Sequence, residues 1–198
     1  MKSDTSDGIL PIDYCQSTDT ICIGQSISED PFFFVYSYIF SDLHVVLPFD
    51  EFTMDILQSF NVAPSQLHPN TWASLQTFCL ICNMFRLSLT PATFLSYYTS
   101  HSVDLVSRLS LISQSGNILF SPYTTSYKNF KGNFFKLFIE PEGWGFFLEE
   151  TGLSQFPLYQ TKTPTQFKEW PHSTPDAEEL EICSLLTTSL EGSLHGNY

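Results

Sequence analysis

The fold of this chain is specified at a corner between two strongly apolar segments, Asn61-Val-Ala-Pro-Ser-Gln-Leu-His-Pro-Asn-Thr-Trp72. Asn61 is a residue type that ends helices in the left-handed conformation, and Pro64 and Pro69 prevent that helix from continuing. Asn70 or Thr71 can cap the free amides of the next helix. The sequence therefore predicts a helix, a corner and a second helix, with no reactive group in the corner itself.

Apolar residues recur at three- and four-residue steps on both sides of the corner, the spacing that places them on one face of a helix. Before the corner, in a helix that begins near Pro48 and Asp50, these positions are Phe49, Phe52, Ile56, Leu57 and Phe60. After it they are Trp72, Leu75, Cys79 and Cys82. A capping residue followed by proline at Asp30-Pro31 and at Thr90-Pro91 predicts two further helices, the first over residues 32–40. Residues 31–100 are thus expected to form a helical half.

The pattern changes to that of short strands after residue 103. Turn-forming residues at Gln114–Asn117 predict a hairpin, whose flanking apolar residues are Leu109, Leu111, Ile118 and Phe120. Two aromatic runs, Phe134–Ile139 and Trp144–Leu148, flank a second turn at Glu140–Gly143. We therefore expect antiparallel strands within residues 105–150. The predicted fold class is α+β, with a small antiparallel sheet packed on the helical half.

Acidic charge is concentrated near the two ends of the 198 residues, whose net charge is -13. Residues 1–30 contain Lys2 against six acidic residues, and residues 169–198 contain six acidic residues and no Lys or Arg. We expect an acidic disordered tail over 1–30, one folded domain over 31–160, and a proline-rich linker with an acidic tail over 161–198. Within that last segment, Ala177–Leu190 is predicted to form one amphipathic helix.

Targeting signals, membrane spans and a disulfide framework are not expected. The start of the chain lacks the order of charged and apolar residues of a secretory signal, and the apolar run Pro31–Phe40 is about half the length that a membrane-spanning helix needs. The odd, scattered set of five cysteines favours reduced thiols: Cys15, Cys22, Cys79, Cys82 and Cys183. The prediction is a soluble protein of the cytoplasm or nucleus that does not contact a membrane.

The corner resembles that of a family of plant proteins described as the plant transposon protein domain or gypsy-type transposon family. Three other segments are similar to blocks of the same family, in the same order: Phe40–Phe49, Tyr127–Lys136 and Phe156–Tyr159. The resemblance spans roughly residues 31–160. It implies an origin in a gypsy-type long-terminal-repeat retrotransposon, and it does not imply a known reaction.

Transposases and integrases use three acidic residues to hold two metal ions for phosphoryl transfer. Asp104 and Glu140 are separated by 35 residues, the gap expected between the last two acids of such a triad. The third acid would be Asp42, Asp50 or Asp55. However, Glu140 precedes a proline in a predicted turn, and the alternating strands and helices of such active sites are not predicted here. We expect no catalytic residues.

The pair Cys79-x2-Cys82 is half of a possible zinc site. The other half is missing from the sequence, because no His follows Cys82 before His101 and no second close pair of cysteines exists. Both thiols lie on the predicted buried stripe with Trp72. We therefore interpret them as small buried apolar residues and expect no metal and no cofactor.

A single segment mixes basic and aromatic residues, and its candidate nucleic-acid-binding residues are Tyr127, Lys128, Phe130, Lys131 and Lys136. Such a mixture can stack bases and neutralise phosphates of single-stranded nucleic acid. The alternative, which we favour, is that the rings alternate into the sheet core and the lysines face solvent. A net charge of -13 without a basic stripe argues against binding to duplex DNA.

These observations predict a non-enzymatic protein derived from a retrotransposon, with a Gag-like role in self-association or nucleoprotein assembly. A second hypothesis is a strand-transfer enzyme that uses Asp104 and Glu140. A third is a host-domesticated adaptor whose acidic tails, including residues 169–198, bind a basic protein partner.

Overall fold

A computed structural model describes residues 12–15, 31–103, 108–114 and 130–166. Its strands are β1 (Ile12–Tyr14), β2 (Phe32–Tyr36), β3 (Tyr98–Val103), β4 (Arg108–Ser113) and β5 (Phe134–Phe138). Its α-helices are α1 (Tyr38–Ser41), α2 (Glu51–Phe60), α3 (Pro69–Phe85), α4 (Pro91–Leu95) and α5 (Trp144–Phe147). Short 3-10 turns lie at Pro64–Gln66, Phe130–Gly132 and Pro141–Gly143. The described part is α+β, as the sequence predicts.

Helix α2 begins and ends where the sequence places its signals. The Asp50 carboxylate Oδ1 accepts a hydrogen bond of 2.7 Å from the backbone N–H of Thr53, which satisfies a free amide of the first turn. At the other end Asn61 has φ 51° and donates its backbone N–H to the carbonyl of Gln58. Phe52, Ile56, Leu57 and Phe60, like the preceding Phe49, are all buried, which confirms the predicted apolar face.

The cap of α3 differs from the prediction of Asn70 or Thr71. His68 is the capping residue, and its Nδ1 accepts from the backbone N–H of Asn70 at 3.2 Å. Pro69 takes the first helical position, because it lacks an N–H and its φ already suits a helix. Asn70 and Thr71 are therefore the second and third residues of α3, after Pro69. The Thr71 hydroxyl instead accepts from the backbone N–H of Leu111 at 3.2 Å, which joins α3 to β4.

The predicted helix over residues 32–40 is wrong. Residues Phe32–Tyr36 form β2, and all five are buried; a single helical turn, α1, follows. A run of consecutive aromatic and β-branched residues has no polar face, and such a run suits a strand that is covered on both sides. The 3-10 turn Pro64–Gln66 of the corner lies beside β2.

Strand β5 is the centre of a three-stranded antiparallel sheet in the order β1-β5-β2. In the register of the β2–β5 pair, Phe34 lies opposite Lys136 and Tyr36 lies opposite Phe134. The strand predicted at Phe134–Ile139 is thus confirmed. The expectation of disorder over residues 1–30 is wrong for Ile12–Tyr14, which pair with β5.

The second predicted aromatic strand, Trp144–Leu148, is instead the short helix α5. It continues from the Pro141–Gly143 turn, and the backbone N–H of Leu148 donates to the carbonyl of Trp144 at 2.8 Å. Of its rings Phe147 is fully buried, whereas Trp144 and Phe146 are 48% and 45% exposed. The strand predicted for this run is therefore wrong, and one of its three rings faces the core.

Strand β4 forms an antiparallel hairpin with β3. The two strands pair antiparallel over their whole length, from Tyr98 opposite Ser113 to Val103 opposite Arg108. The predicted turn from residue 115 onward, with Ile118 and Phe120, lies outside the described residues. The hairpin follows α4, whose predicted cap is confirmed: the Thr90 hydroxyl accepts from the backbone N–H of Thr93 at 3.1 Å.

Aromatic rings fill the core on the inner face of the sheet. Phe33 meets Phe49, Phe147 and Phe156 with ring centroids 5.6 to 5.9 Å apart, and Phe49 contacts Trp72 of α3 at 5.5 Å. A second cluster joins α2, α3, α4 and β3 through Phe52, Phe78, Phe94 and Tyr98. Both sets of rings belong to one continuous core of buried aromatic and aliphatic residues, which holds the helices and the hairpin together.

Residues 160–165, which we name the strap, are hydrogen-bonded to the corner. The buried Gln66 amide accepts from the backbone N–H of Thr161 at 2.9 Å and donates to the Thr161 carbonyl at 2.9 Å. Further along, the N–H of Thr165 donates to the carbonyl of Phe60 at 2.8 Å. The first residues of the predicted linker thus contact the corner; residues 167–198, with the predicted amphipathic helix, lie outside the described part.

Candidate functional site

Phe130 and Lys136 are the candidate nucleic-acid-binding residues whose side chains the structure describes. Lys136 lies on the sheet face that also carries Phe32, Phe34 and Tyr36, because residues opposite each other in the register share a face. Its Nζ is 3.9 Å from the Phe32 ring centroid and 4.3 Å from that of Phe138. At these distances the ammonium makes cation–π contacts within the chain.

The Phe130 ring is also engaged by neighbouring rings. It meets Tyr36 and Tyr38 edge-on with centroids 5.2 and 5.5 Å apart, and its centroid is 6.0 Å from the His68 ring. Ring contacts from Phe130 through Tyr36 and Phe34 lead to Phe32, so the structure places Phe130 and Lys136 in one aromatic cluster. Lys131 lies in the adjacent 3-10 turn.

Tyr127 and Lys128 lie outside the described residues, so the five candidates are not all placed. Single-stranded nucleic-acid binding by this segment stays a prediction.

The acidic residues of the possible triad are not assembled among the described residues. Asp104 lies outside them, and Glu140 is exposed beside the Pro141–Gly143 turn. Asp50 is used as the cap of α2. Within residues 12–15, 31–103, 108–114 and 130–166, no group of three or more His, Cys, Asp or Glu side chains is arranged to hold a metal ion.

Cys79 and Cys82 are free thiols on α3. Burial, with a smaller effect of the nearby Asp50 carboxylate, raises the pKa of Cys79 to about 12. Burial raises the pKa of Cys82 to about 11. A thiol that stays protonated at neutral pH is a poor nucleophile and a poor metal ligand. Cys82 is fully buried in the core, as predicted, whereas Cys79 is only partly buried and packs against the core.

The described surface carries a groove of about 400 Å³ between α3 and the segment that leads into α2, which we name the α3 groove. Its lining is Val45, Val46, Pro48, Phe49, Asp50, Thr53, Gln76, Cys79, Leu80 and Asn83. Three apolar side chains at or beside it are strongly exposed: Val46 at 76%, Leu80 at 60% and Met84 at 69%. Met84 follows Leu80 by one helical turn, so both lie on one face of α3.

The α3 groove is almost free of charge. Asp50 is the one formal charge in its lining, and that carboxylate already accepts a hydrogen bond at the start of α2. No Asp, Glu, Lys or Arg occurs between Asp55 and Arg86, a stretch that contains the whole of α3. A solvent-facing helix usually carries charged residues on its outer face, and α3 does not.

Sequence reasoning missed the α3 groove because it treated α3 only as a core helix. The buried stripe accounts for Trp72, Leu75 and Cys82, but Leu80 and Met84 fall on the opposite side. The outer side of α3 is therefore uncharged, with apolar side chains next to the amides of Gln76 and Asn83. The absence of charged residues along 30 consecutive positions, 56–85, was the available signal.

Comparison with known proteins gives one result. Residues 35–99 match a family model described as "Putative gypsy type transposon". A search of the curated proteins and of the solved structures finds no match. The chain is therefore related to a gypsy-type transposon family, and the resemblance carried by the corner is confirmed.

The matched segment runs from β2 into β3 and contains α2, the corner, α3 and the α3 groove. The blocks at 127–136 and 156–159 lie beyond it. Among the helices of the described residues, none has the length and apolar character needed to cross a membrane.

Proposed function

We propose that this transposon-derived protein is non-enzymatic and has a Gag-like structural role, in which copies of the chain associate with one another in the cytoplasm or nucleus. The observation that carries the proposal is the α3 groove, an exposed apolar surface within the segment that matches the transposon family. Apolar side chains as exposed as Val46 and Met84, when they adjoin one groove, are typical of protein interaction sites.

The non-enzymatic part of the proposal rests on the roles of the polar groups in the described residues. Asp50 and His68, which are residue types used in catalysis, accept hydrogen bonds as helix caps. The thiols of Cys79 and Cys82 have raised pKa values and remain protonated at neutral pH. Asp50 and Cys79 both line the α3 groove, but there the carboxylate raises the pKa of the thiol and so does not activate it as a nucleophile.

Nucleic-acid binding is the weaker half of a Gag-like role for this chain. A net charge of -13 repels phosphates at long range. The Lys136 ammonium is held over two rings, which leaves less of it available for a phosphate contact. We therefore propose protein–protein association as the primary activity, with single-stranded RNA as an additional ligand of the segment 127–136.

The proposal is tested by size-exclusion chromatography with light scattering on the full chain, over a range of concentrations and with or without added RNA. The expected result is a mass that rises above 22.6 kDa with concentration in the absence of RNA. A mass of one chain at every concentration, with and without RNA, would overturn the proposal.

The enzymatic alternative has its own test. Labelled DNA is incubated with the full chain and Mn²⁺, and the wild type is compared with Glu140→Gln. We expect no cleavage by either protein. Cleavage by the wild type that is lost in the variant would place Glu140 in an active site and contradict the non-enzymatic assignment.

A further inference from the structure

We infer that the α3 groove is the contact between two copies of this chain, related by a two-fold axis, with Leu80 and Met84 of each copy seated in the groove of the other. This inference rests on the proposed function and specifies the surface that performs it. In such a symmetric contact the same patch serves both partners, so a surface that offers both a groove and protruding side chains is self-complementary.

The groove and its protruding side chains adjoin each other on one face. Leu80 both lines the groove and projects into solvent, with 60% of its surface exposed. Met84 lies one turn further along α3, and Val46 stands on the opposite wall. Met side chains are unbranched and adaptable, which suits them to fill a groove of irregular shape.

The near absence of charge in the α3 groove decides which kind of partner can bind there. The acidic charge of each copy is concentrated in residues 1–30 and 169–198, and like-charged copies repel each other least across a face that carries no charge. The α3 face supplies no Asp, Glu, Lys or Arg from residue 56 to residue 85. A basic partner would find only the Asp50 carboxylate in the groove, and that carboxylate already caps α2.

The acidic segment 169–198 of the same chain is the competing occupant. It carries six acidic residues and no Lys or Arg, and the groove lining offers it no cation and one carboxylate. Charge therefore disfavours this occupant relative to the neutral face of a second copy.

The area of a typical stable interface indicates how much of the surface around the groove must be buried in the dimer. A stable interface buries about 800 Å² on each partner, which is more than three side chains provide. The walls of the groove must therefore be covered as well, including the half-exposed Gln76 and the exposed Asn83. Their amides can form hydrogen bonds across the interface without adding charge.

The test introduces a charge at the face in the full chain, with Leu80→Glu and Met84→Glu measured separately by sedimentation equilibrium. Matched controls are Ile112→Glu on β4 and Leu153→Glu in the turn after α5, where the apolar side chains are 52% and 65% exposed but do not line the groove. We expect the two α3 variants to weaken association at least tenfold and the controls to associate like the wild type. Circular dichroism should be the same for all four variants.

The possible outcomes distinguish a failure of the proposed contact surface from a failure of the proposed self-association. A wild type that associates, together with α3 variants that associate equally well, would overturn the assignment of the groove and leave self-association standing. A wild type that is monomeric at every concentration would overturn both. In a third outcome the wild type is monomeric and the Leu185→Ser variant dimerises. That result would assign the groove of the wild type to the acidic segment of its own chain, and would also overturn the inference.

Discussion

Replacing Gln66 by Leu tests how much one buried amide contributes to the contact between the corner and the strap. The Gln66 Oε1 accepts from the backbone N–H groups of Ala63 at 3.0 Å and Thr161 at 2.9 Å, and its Nε2 donates to the Thr161 carbonyl at 2.9 Å. Gln66 itself is fully buried. Leu has nearly the same size as Gln, so the change removes the hydrogen bonds while keeping most of the packing.

The expected loss follows from those three bonds. Each is worth about 1 kcal/mol, and a buried donor left without a partner costs about 1 to 3 kcal/mol. Ala63 is fully buried, whereas Thr161 is partly exposed and can bond to water. We therefore expect Gln66→Leu to lower the free energy of unfolding by about 3 kcal/mol, which corresponds to a Tm lower by about 6 to 12 °C for a chain of this length.

Urea unfolding followed by circular dichroism measures the loss, and hydrogen exchange measures its location. The amide protons of Ala63 and Thr161 should lose protection in Gln66→Leu. The control is Gln58→Leu, the same change at an exposed position of α2, which should alter stability by no more than about 0.5 kcal/mol. A loss below about 1 kcal/mol in Gln66→Leu, or unchanged protection of Thr161, would refute the reasoning.

Three further predictions concern α3. Burial, with a smaller contribution from a nearby arginine, lowers the pKa of His68 from its ordinary 6.5. The unfolded chain therefore binds this proton more readily, and stability is lost as pH falls from above 6.5 toward the lowered value. His68→Asn keeps a capping acceptor, so urea unfolding should show a smaller loss of stability between pH 7.5 and 5 than in the wild type; an identical pH profile would contradict this. The pKa values of Cys79 and Cys82 are raised to about 12 and about 11, so few thiolates are present at pH 8. Iodoacetamide should therefore label both thiols about a hundredfold more slowly in the native chain than in urea, as followed by mass spectrometry. Equal labelling rates would contradict the burial. The buried indole N–H of Trp72 has no hydrogen-bond partner among the described residues, so Trp72→Phe should cost only about 1 kcal/mol in urea unfolding, and a loss above about 3 kcal/mol would indicate a lost hydrogen bond.

Local signals in the sequence were sufficient for the elements that they flank. Asp50 and Asn61 mark the ends of α2, and Thr90 with Pro91 marks the start of α4, because caps and prolines act through the nearest backbone amides. The α+β class also follows from local patterns. The cap of α3 moved, since Pro69 takes the first helical position and leaves His68 as the capping residue. The other exception is the capping signal at Asp30-Pro31, which is followed by strand β2 and not by the predicted helix.

Elements that depend on distant partners could not be read in the same way. Strand β2 has no polar face, so its apolar run fits a helix or a strand until its partner β5 is known, about 100 residues later. Strand β1 is set by the same long-range pairing. The strap depends on Gln66 meeting Thr161 across 95 positions, and no local pattern encodes that contact.

The candidate site was missed for a related reason. Periodicity identifies the buried stripe of α3, but it does not reveal whether apolar residues on the other side are covered. Leu80 and Met84 are recognised as exposed only when the neighbours of α3 are in place. The burial of Cys82 agrees with the apolar stripe that is visible in the sequence, whereas Cys79 is only partly buried and also lines the α3 groove.

The central claim, association of like-charged chains through a neutral apolar face, is tested most directly by sedimentation equilibrium of the unmodified full chain at low and at high salt. The account predicts a concentration-dependent mass between 22.6 kDa and twice that value, with tighter association at high salt, because salt screens the repulsion between chains of net charge -13 and leaves apolar contacts intact. A mass of 22.6 kDa at every concentration and salt level, or a dimer that dissociates as salt is added, would contradict it.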